Sequence, residues 1–202
     1  MGLFDRRAGK GNPFDWLVVG LGNPGSKYAR TRHNVGEESI RLLAERHDAP
    51  LKSGRNNALV SEARFGDRRV VLAFPITFMN ESGQAVSALV RRYQIETPQQ
   101  VIVVQDELDL EPGTLKVKAG GGLAGHNGLR SITQHLKSQD FLRVRIGVGK
   151  PPSKDHGVGH VLNKVPASER QQLDITIVEA ADAVEMIIAE GADAAMRHFN
   201  AR

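Results

Sequence analysis

The stretch VVGLGNPGSKY, residues 18–28, decides how the fold is read. An apolar run, Leu17 to Val19, enters Gly20-Leu21-Gly22-Asn23-Pro24-Gly25, which is G-x-G-x-x-G letter for letter. In dinucleotide-binding folds that spacing lets a pyrophosphate approach the backbone at a helix N-terminus. Such a fold also needs a helix opening at the third glycine and an acid closing the next strand, roughly 20 residues on. Here Gly25 is followed by Ser26-Lys27-Tyr28-Ala29-Arg30-Thr31-Arg32-His33-Asn34, which has no amphipathic period. Glu45 and Asp48 lie in or just after a predicted helix instead of at a strand end. The context therefore argues against a nucleotide-dependent oxidoreductase. What remains is a strand feeding a rigid Asn-Pro-Gly turn, which holds the Asn23 amide at a strand's carboxyl end. In open α/β sheets ligands bind at such ends.

Outward from this turn, strand-like runs are expected at 16–20, 58–64, 69–74, 101–105, 114–118 and 143–148. The second and third are separated by Phe65-Gly66-Asp67-Arg68 and read as a hairpin. Helical patterns fill 36–47, 82–94, 127–137, 168–190 and 192–199. In the fourth, Ile175, Val178, Ala181, Val184 and Ile188 recur at three- and four-residue spacing as one apolar stripe. Strands interleaved with helices predict a single α/β domain, a twisted mixed sheet flanked by helices. Residues 1–15 read as a polar N-terminal tail and residues 16–202 as the domain.

The 202 residues include no cysteine, which removes disulfides, thiolate nucleophiles and cysteine-held zinc. No apolar run approaches the ~20 residues that span a bilayer, and the N-terminus lacks a signal-like hydrophobic stretch. The chain begins Met-Gly, but Arg6 stands where a myristoylation signal wants Ser or Thr. Net charge is +4, unevenly spread. Between residues 116 and 154, Lys116, Lys118, Arg130, Lys137, Arg143, Arg145, Lys150 and Lys154 face a single acid, Asp140. A window so one-sided suits a polyanionic partner, although a solvated surface would also produce it.

Three further clusters combine short polar side chains with glycine: residues 77–83 (TFMNESG), 106–109 (DELD) and 120–128 (GGGLAGHNG). Each follows a predicted strand or precedes a predicted helix, as loops converging on one site would. There is no G-x-S-x-G elbow and no H-E-x-x-H, so an acyl-enzyme and a zinc protease site are both unsupported. His156 and His160 are four apart, but in a glycine-rich loop without a third ligand. Histidine is the residue type left to serve as a general base, since its pKa lies near neutrality. His47, His135 and His198 sit in predicted helices and read as packing or surface residues. His33 follows the glycine-framed turn, and His126 abuts a glycine-rich motif and is held in reserve.

The segments GLGNPGSKYARTRHNVG, TFMNESG, DELDLEPG, GGGLAGHNGLRSI and FLRVRIGVGKP resemble, in that order, the signatures of the bacterial peptidyl-tRNA hydrolase family. The resemblance spans residue 16 to about residue 165. It implies a cytosolic, mostly monomeric, cofactor-free α/β enzyme that cleaves the ester joining a stalled nascent peptide to its tRNA during translation, and no metal site is expected from the residues. Peptidyl-tRNA is then the partner, with no membrane. By the same resemblance His33 is the general base and Asp106, after the strand Val101–Gln105, its electrostatic partner. Asn23 helps to recognise a blocked α-nitrogen, while Asn80 and Asn127 bind substrate near the ester. Tyr28 and Phe78 contact the substrate end, stacking on the terminal adenine or packing the peptide, with ordinary burial as the alternative. Lys118 and Arg145 match positions that clamp a tRNA phosphate, with Lys116, Arg130, Lys137 and Arg143 in reserve. Three departures stand out: Phe74-Pro75 where many relatives have Lys-Pro, Gln105 where many have His, and Asp109-Leu110-Glu111-Pro112. A noncatalytic RNA-binding relative of the same fold is the alternative, though it would be expected to lose or scramble this set.

Overall fold

The computed structural model describes residues 3–4, 13–151, 153 and 156–201. Arg6, most of the N-terminal tail and Lys154 lie outside the described residues. Seven strands form one sheet: β1 (Trp16–Gly20), β2 (Lys52–Ser53), β3 (Ala58–Phe65), β4 (Arg68–Pro75), β5 (Val101–Glu107), β6 (Leu115–Ala119) and β7 (Leu142–Gly147). Their order is β2-β3-β4-β1-β5-β7-β6. The central strands β4, β1, β5 and β7 run parallel, while β2, β3 and β6 add on antiparallel at the two edges. Every residue of β5 is buried, as expected for a central parallel strand covered on both faces.

Among the described residues there are six α-helices: α1 (Val35–Arg46), α2 (Ser82–Arg92), α3 (Asn127–Leu136), α4 (Gly157–Leu162), α5 (Ala167–Glu190) and α6 (Ala192–Asn200). The strands alternate, so Val18, Ile102, Val104 and Val144 join one core with α1, α5 and α6. Leu17, Val19, Val101 and Val103 join a second core with α2 and α3. Edge strand β6 is blunted by Asn200, whose side chain donates to Val117 O at 2.9 Å and accepts from Val117 N at 2.8 Å.

The glycines of the opening stretch serve backbone contact. A Cβ at Gly20 would fall 2.1 Å from Gly36 O, and one at Gly36 would fall 2.3 Å from Val104 O. The end of β1 and the start of α1 therefore touch backbone to backbone. The helix opens at Val35 and not at Gly25, so no helix N-terminus faces the turn as a pyrophosphate would require.

The expected elements appear with shifts of one or two residues at their ends, the short edge strand β2 has no counterpart among them, and four further features differ. Phe14 is buried, edge-on to Tyr93 with ring centroids 5.0 Å apart, so packing begins before Trp16. The segment holding His160 is the short helix α4, hidden in the sequence by Gly157 and Gly159, both poor helix formers. Strand β5 runs two residues past Gln105 and takes in Asp106. The expected apolar stripe of α5 is wrong at its start: Ile175 and Val178 are exposed, and Leu173, Thr176, Ile177 and Ala180 face the core instead.

Candidate active site

The carboxyl end of β5, the turn before α1, the loop before α3 and helix α4 line a cleft of about 170 Å³. His33, Asp106, Leu108, His126, Asn127 and Val158 line it. His33 lies in the single 3-10 turn Arg32–Asn34 that leads into α1. Its neighbours in that turn anchor it. Arg32 is buried and pairs with Glu169, and it donates to His160 O at 3.2 Å. Asn34 Oδ1 accepts from Asn23 N at 3.0 Å, while its Nδ2 donates to Asn23 O at 2.9 Å and Glu37 Oε2 at 2.7 Å. This two-way clasp holds the Asn23 turn rigid. Asn34 was quoted in the sequence motif without a role, because nothing local reveals a partner eleven residues upstream.

His33 Nδ1 lies 2.8 and 3.0 Å from the two oxygens of Asp106. An ionised carboxylate only accepts, so Nδ1 carries the hydrogen and donates it, leaving the Nε2 lone pair bare. Asp106 is shared: His126 Nε2 lies 3.0 Å from Oδ1. The tautomer of His126 follows from its place as N-cap of α3. There Nδ1 accepts from Gly128 N at 3.1 Å and Leu129 N at 3.4 Å, so its hydrogen sits on Nε2 and points at Asp106. The reserve histidine thus holds the same carboxylate as the first. The two rings lie 5.1 Å apart, tilted 43°.

Burial disfavours the His33 cation, but the charge and hydrogen bond of Asp106 outweigh it, and the His33 pKa is raised above 6.5. Burial likewise works against the Asp106 anion. The two imidazoles beside it prevail and hold its carboxyl well below the usual carboxylate range.

His33, Asp106 and His126 bring three ligand atoms within 4.8 Å of one another, the one such group among the described residues. The network fits protons better than a metal. Accepting a cation between them would require both facing nitrogens to give up hydrogen. His33 could shift its proton to Nε2, but His126 could not shift to Nδ1, which already accepts two backbone N–H groups. The other candidate pair is also committed: His160 Nε2 donates toward Val148 O and Gly149 O, and His156 Nδ1 meets Ser153 Oγ at 2.7 Å.

Asn23 is buried, and its Oδ1 accepts from Met79 N at 2.8 Å. With the oxygen occupied, the Nδ2 hydrogens remain to donate. Asn80 is exposed in the 3-10 turn Met79–Glu81 before α2. Asn127 opens α3, also exposed, its Oδ1 accepting from Arg130 at 3.3 Å. Phe78 is 55% exposed, which sets aside burial as its explanation. Tyr28 is half-buried, with Lys27 Nζ 5.5 Å from its ring centre.

The basic window acquires a geometry. Lys116 pairs across the ladder with Arg145, and Lys118 with Arg143, so all four leave one face of β6 and β7. They are not equivalent. Arg143 is buried and donates to Gly121 O and Gly122 O at 2.6 Å each, pinning a loop whose Gly120 and Gly121 have positive φ. It is a structural pin, which removes it from the reserve of phosphate contacts. Arg145 is paired with Glu107, while Lys118 is half-buried with the Cε and Nζ end of its side chain beside Gly121.

An oriented imidazole with a bare nitrogen, facing a cleft and without a serine elbow or cysteine beside it, can activate water. Such chemistry belongs to hydrolases that form no acyl-enzyme. The comparison with known proteins narrows the class: the peptidyl-tRNA hydrolase family model matches residues 17–202, and the chain belongs to that family. It is 51% identical over 187 residues to the peptidyl-tRNA hydrolase of Leifsonia xyli subsp. xyli, covering 92% of this chain and 96% of that one. It is 48% identical to that of Frankia alni, covering 92% and 94%. Among solved structures, the peptidyl-tRNA hydrolase from Acinetobacter baumannii superposes with a TM-score of 0.88 at 39% identity, covering 95% and 98%.

Proposed function

We propose that the protein hydrolyses the ester between a peptide, or an N-blocked aminoacyl group, and tRNA, with His33 as general base. One observation carries this reading: His33 Nδ1 is held by Asp106 at 2.8 Å, which leaves Nε2 free at the cleft. Water gives a proton to Nε2 as its oxygen attacks the ester carbonyl, and Asp106 stabilises the imidazolium. The tetrahedral intermediate collapses, the ribose oxygen of the terminal nucleotide leaves, and the proton passes back to it. Peptide acid and free tRNA result.

The free Nδ2 of Asn23 can donate to a peptide carbonyl, a group that a blocked substrate has next to its α-nitrogen and a free aminoacyl ester lacks. Asn80 and Asn127 supply amides that accept any peptide sequence, since each both donates and accepts. Exposed Phe78 and half-buried Tyr28 offer aromatic faces for the terminal base. Lys118 and Arg145 are read as contacts to a tRNA phosphate, positioning the substrate without reading its sequence. We further read the enzyme as a monomer of the cytoplasm, in keeping with the translation-related role of its family.

The test is release of N-acetyl-aminoacyl groups from tRNA, run beside unblocked aminoacyl-tRNA. Wild type should cleave the first and spare the second. His33→Ala should lose ~10²–10⁴-fold in kcat, the usual contribution of a general base, while still binding substrate. Near-normal kcat in that variant would remove His33 from the mechanism. A noncatalytic RNA-binding protein would bind both tRNAs and cleave neither.

A further inference from the structure

Glu107 follows Asp106 out of β5, and the reaction described above has no use for it. It is nevertheless a buried carboxylate, 4% exposed. Its Oε2 accepts from Nε of Arg145 at 3.0 Å and lies 3.0 Å from Nη2 in the same ion pair. Its Oε1 accepts from Asp109 N at 3.2 Å, so the carboxylate is held at both ends. Register explains the meeting. Gln105 pairs with Arg145 and Glu107 with Gly147, which makes Glu107 and Arg145 diagonal neighbours on one face of the sheet.

The side-on pairing occupies Nε–H and the Nη2 side of the guanidinium. A guanidinium has five N–H donors in a fixed fork, so both Nη1 hydrogens and the second Nη2 hydrogen are left along the opposite edge. That edge is the one that takes two oxygens of a phosphate. Arg145 is 21% exposed in its side chain, enough to reach a ligand but not to move freely. Lys116 stands directly opposite it in the ladder, and Lys118 is its diagonal neighbour. Behind them, burial and the neighbouring Arg145 both disfavour the Arg143 cation, while Glu107 favours it. One carboxylate thus faces both arginines of this face.

We propose that Glu107 is a positioning residue for substrate binding, holding the Arg145 guanidinium side-on so that its outer edge meets a phosphate of the tRNA. The proposal rests on reading Arg145 as a phosphate contact. Without Glu107 the side chain would have to be ordered by the substrate, a cost that appears in binding and not in the chemical step.

A double-mutant cycle tests this, with KM and kcat measured on N-acetyl-aminoacyl-tRNA and thermal midpoints recorded for each protein. Glu107→Ala should raise KM about 2- to 13-fold, the cost of ordering one long side chain on binding, with kcat unchanged. Arg145→Ala should also raise KM, and adding Glu107→Ala to it should change nothing further. Glu107→Gln keeps an oxygen that can accept from Nε–H, so it should recover part of the loss. If Glu107→Ala does not fold, the same cycle run with Glu107→Gln decides. Independent, multiplying effects would overturn the proposal, as would a fall in kcat, which would mean that Glu107 acts through Asp106. A wild-type KM in the Glu107 variants beside a raised KM in Arg145→Ala would refute the positioning role alone. A wild-type KM in Arg145→Ala would refute the phosphate contact itself.

Discussion

Lys118→Ala should flatten the salt dependence of KM for peptidyl-tRNA, and should do so more than Arg145→Ala. Both cations leave the same face of the sheet, and from sequence alone they are equivalent. The structure separates them: Arg145 is paired with Glu107, whereas Lys118 has no carboxylate partner among the described residues. An unpaired cation that neutralises a phosphate releases condensed counterions, contributing about 0.7–0.9 to the log–log salt slope. Over a fourfold rise in salt, one such contact weakens binding by about 2.6- to 3.5-fold. Losing Lys118 should remove that factor, so its KM ratio to wild type shrinks by the same amount as salt rises. Arg145 enters already compensated by Glu107, so its removal should take away less than a full unit of slope. The assay is KM at several potassium chloride concentrations for wild type and both variants. Equal slopes for wild type and Lys118→Ala would make Lys118 a solvated surface cation. Equal flattening by the two variants would show that Glu107 does not offset Arg145 when tRNA binds.

Asp106→Asn should move the acid limb of kcat/KM to lower pH and depress its plateau, because Asp106 is what raises the His33 pKa against burial; an unmoved limb would place Asp106 outside the pair. The same shift enters stability with a definite sign. A raised His33 pKa contributes stability that is fully present below 6.5 and lost as pH climbs through the folded-state value. Urea midpoints of wild type and variant should therefore differ more below pH 6.5 than well above it, and a gap that widened with pH would refute this assignment. Gly36→Ala should destabilise by about 1–3 kcal/mol or more through overpacking, since the new Cβ would lie 2.3 Å from a backbone oxygen. A urea midpoint unchanged from wild type would show that α1 can move away from β5.

Much of the fold was legible because each signal was local. Leu17 to Val19 announces a buried strand, and Phe65-Gly66-Asp67-Arg68 announces the turn between β3 and β4. The misreadings have physical causes. Helix α5 carries apolar residues around most of its circumference, so a stripe through Ile175 and Val178 satisfies the period as well as the buried one through Leu173, Ile177 and Ala180. Arg143 and Arg145 alternate identically in β7, and only the carbonyls of Gly121 and Gly122 make one a buried pin. In the site, His33 and Asp106 were paired by family resemblance, since 73 residues separate them. That His126 shares Asp106 depends on a loop closing over the sheet, which no local pattern encodes.

The last turns of β5 show why the site needs a strand and not a loop. Successive side chains of a strand leave on opposite faces, so adjacent Asp106 and Glu107 must diverge. Asp106 meets the histidines that precede α1 and α3. Glu107 meets Arg145 on β7. Ladder pairing with Ile146 and Gly147 fixes both backbones, so the separation of the carboxylates that hold the proposed base and the proposed phosphate contact is set by the sheet. Under the proposed function, amides that accept any peptide sequence leave the ester to be aligned by the tRNA. A fixed separation between phosphate and base is what such alignment requires, because small misplacements of reacting groups are costly in rate. It follows that Glu107 and Asp106 should fail differently on substitution, the first in KM and the second in kcat and its pH dependence, although they are neighbours in the chain.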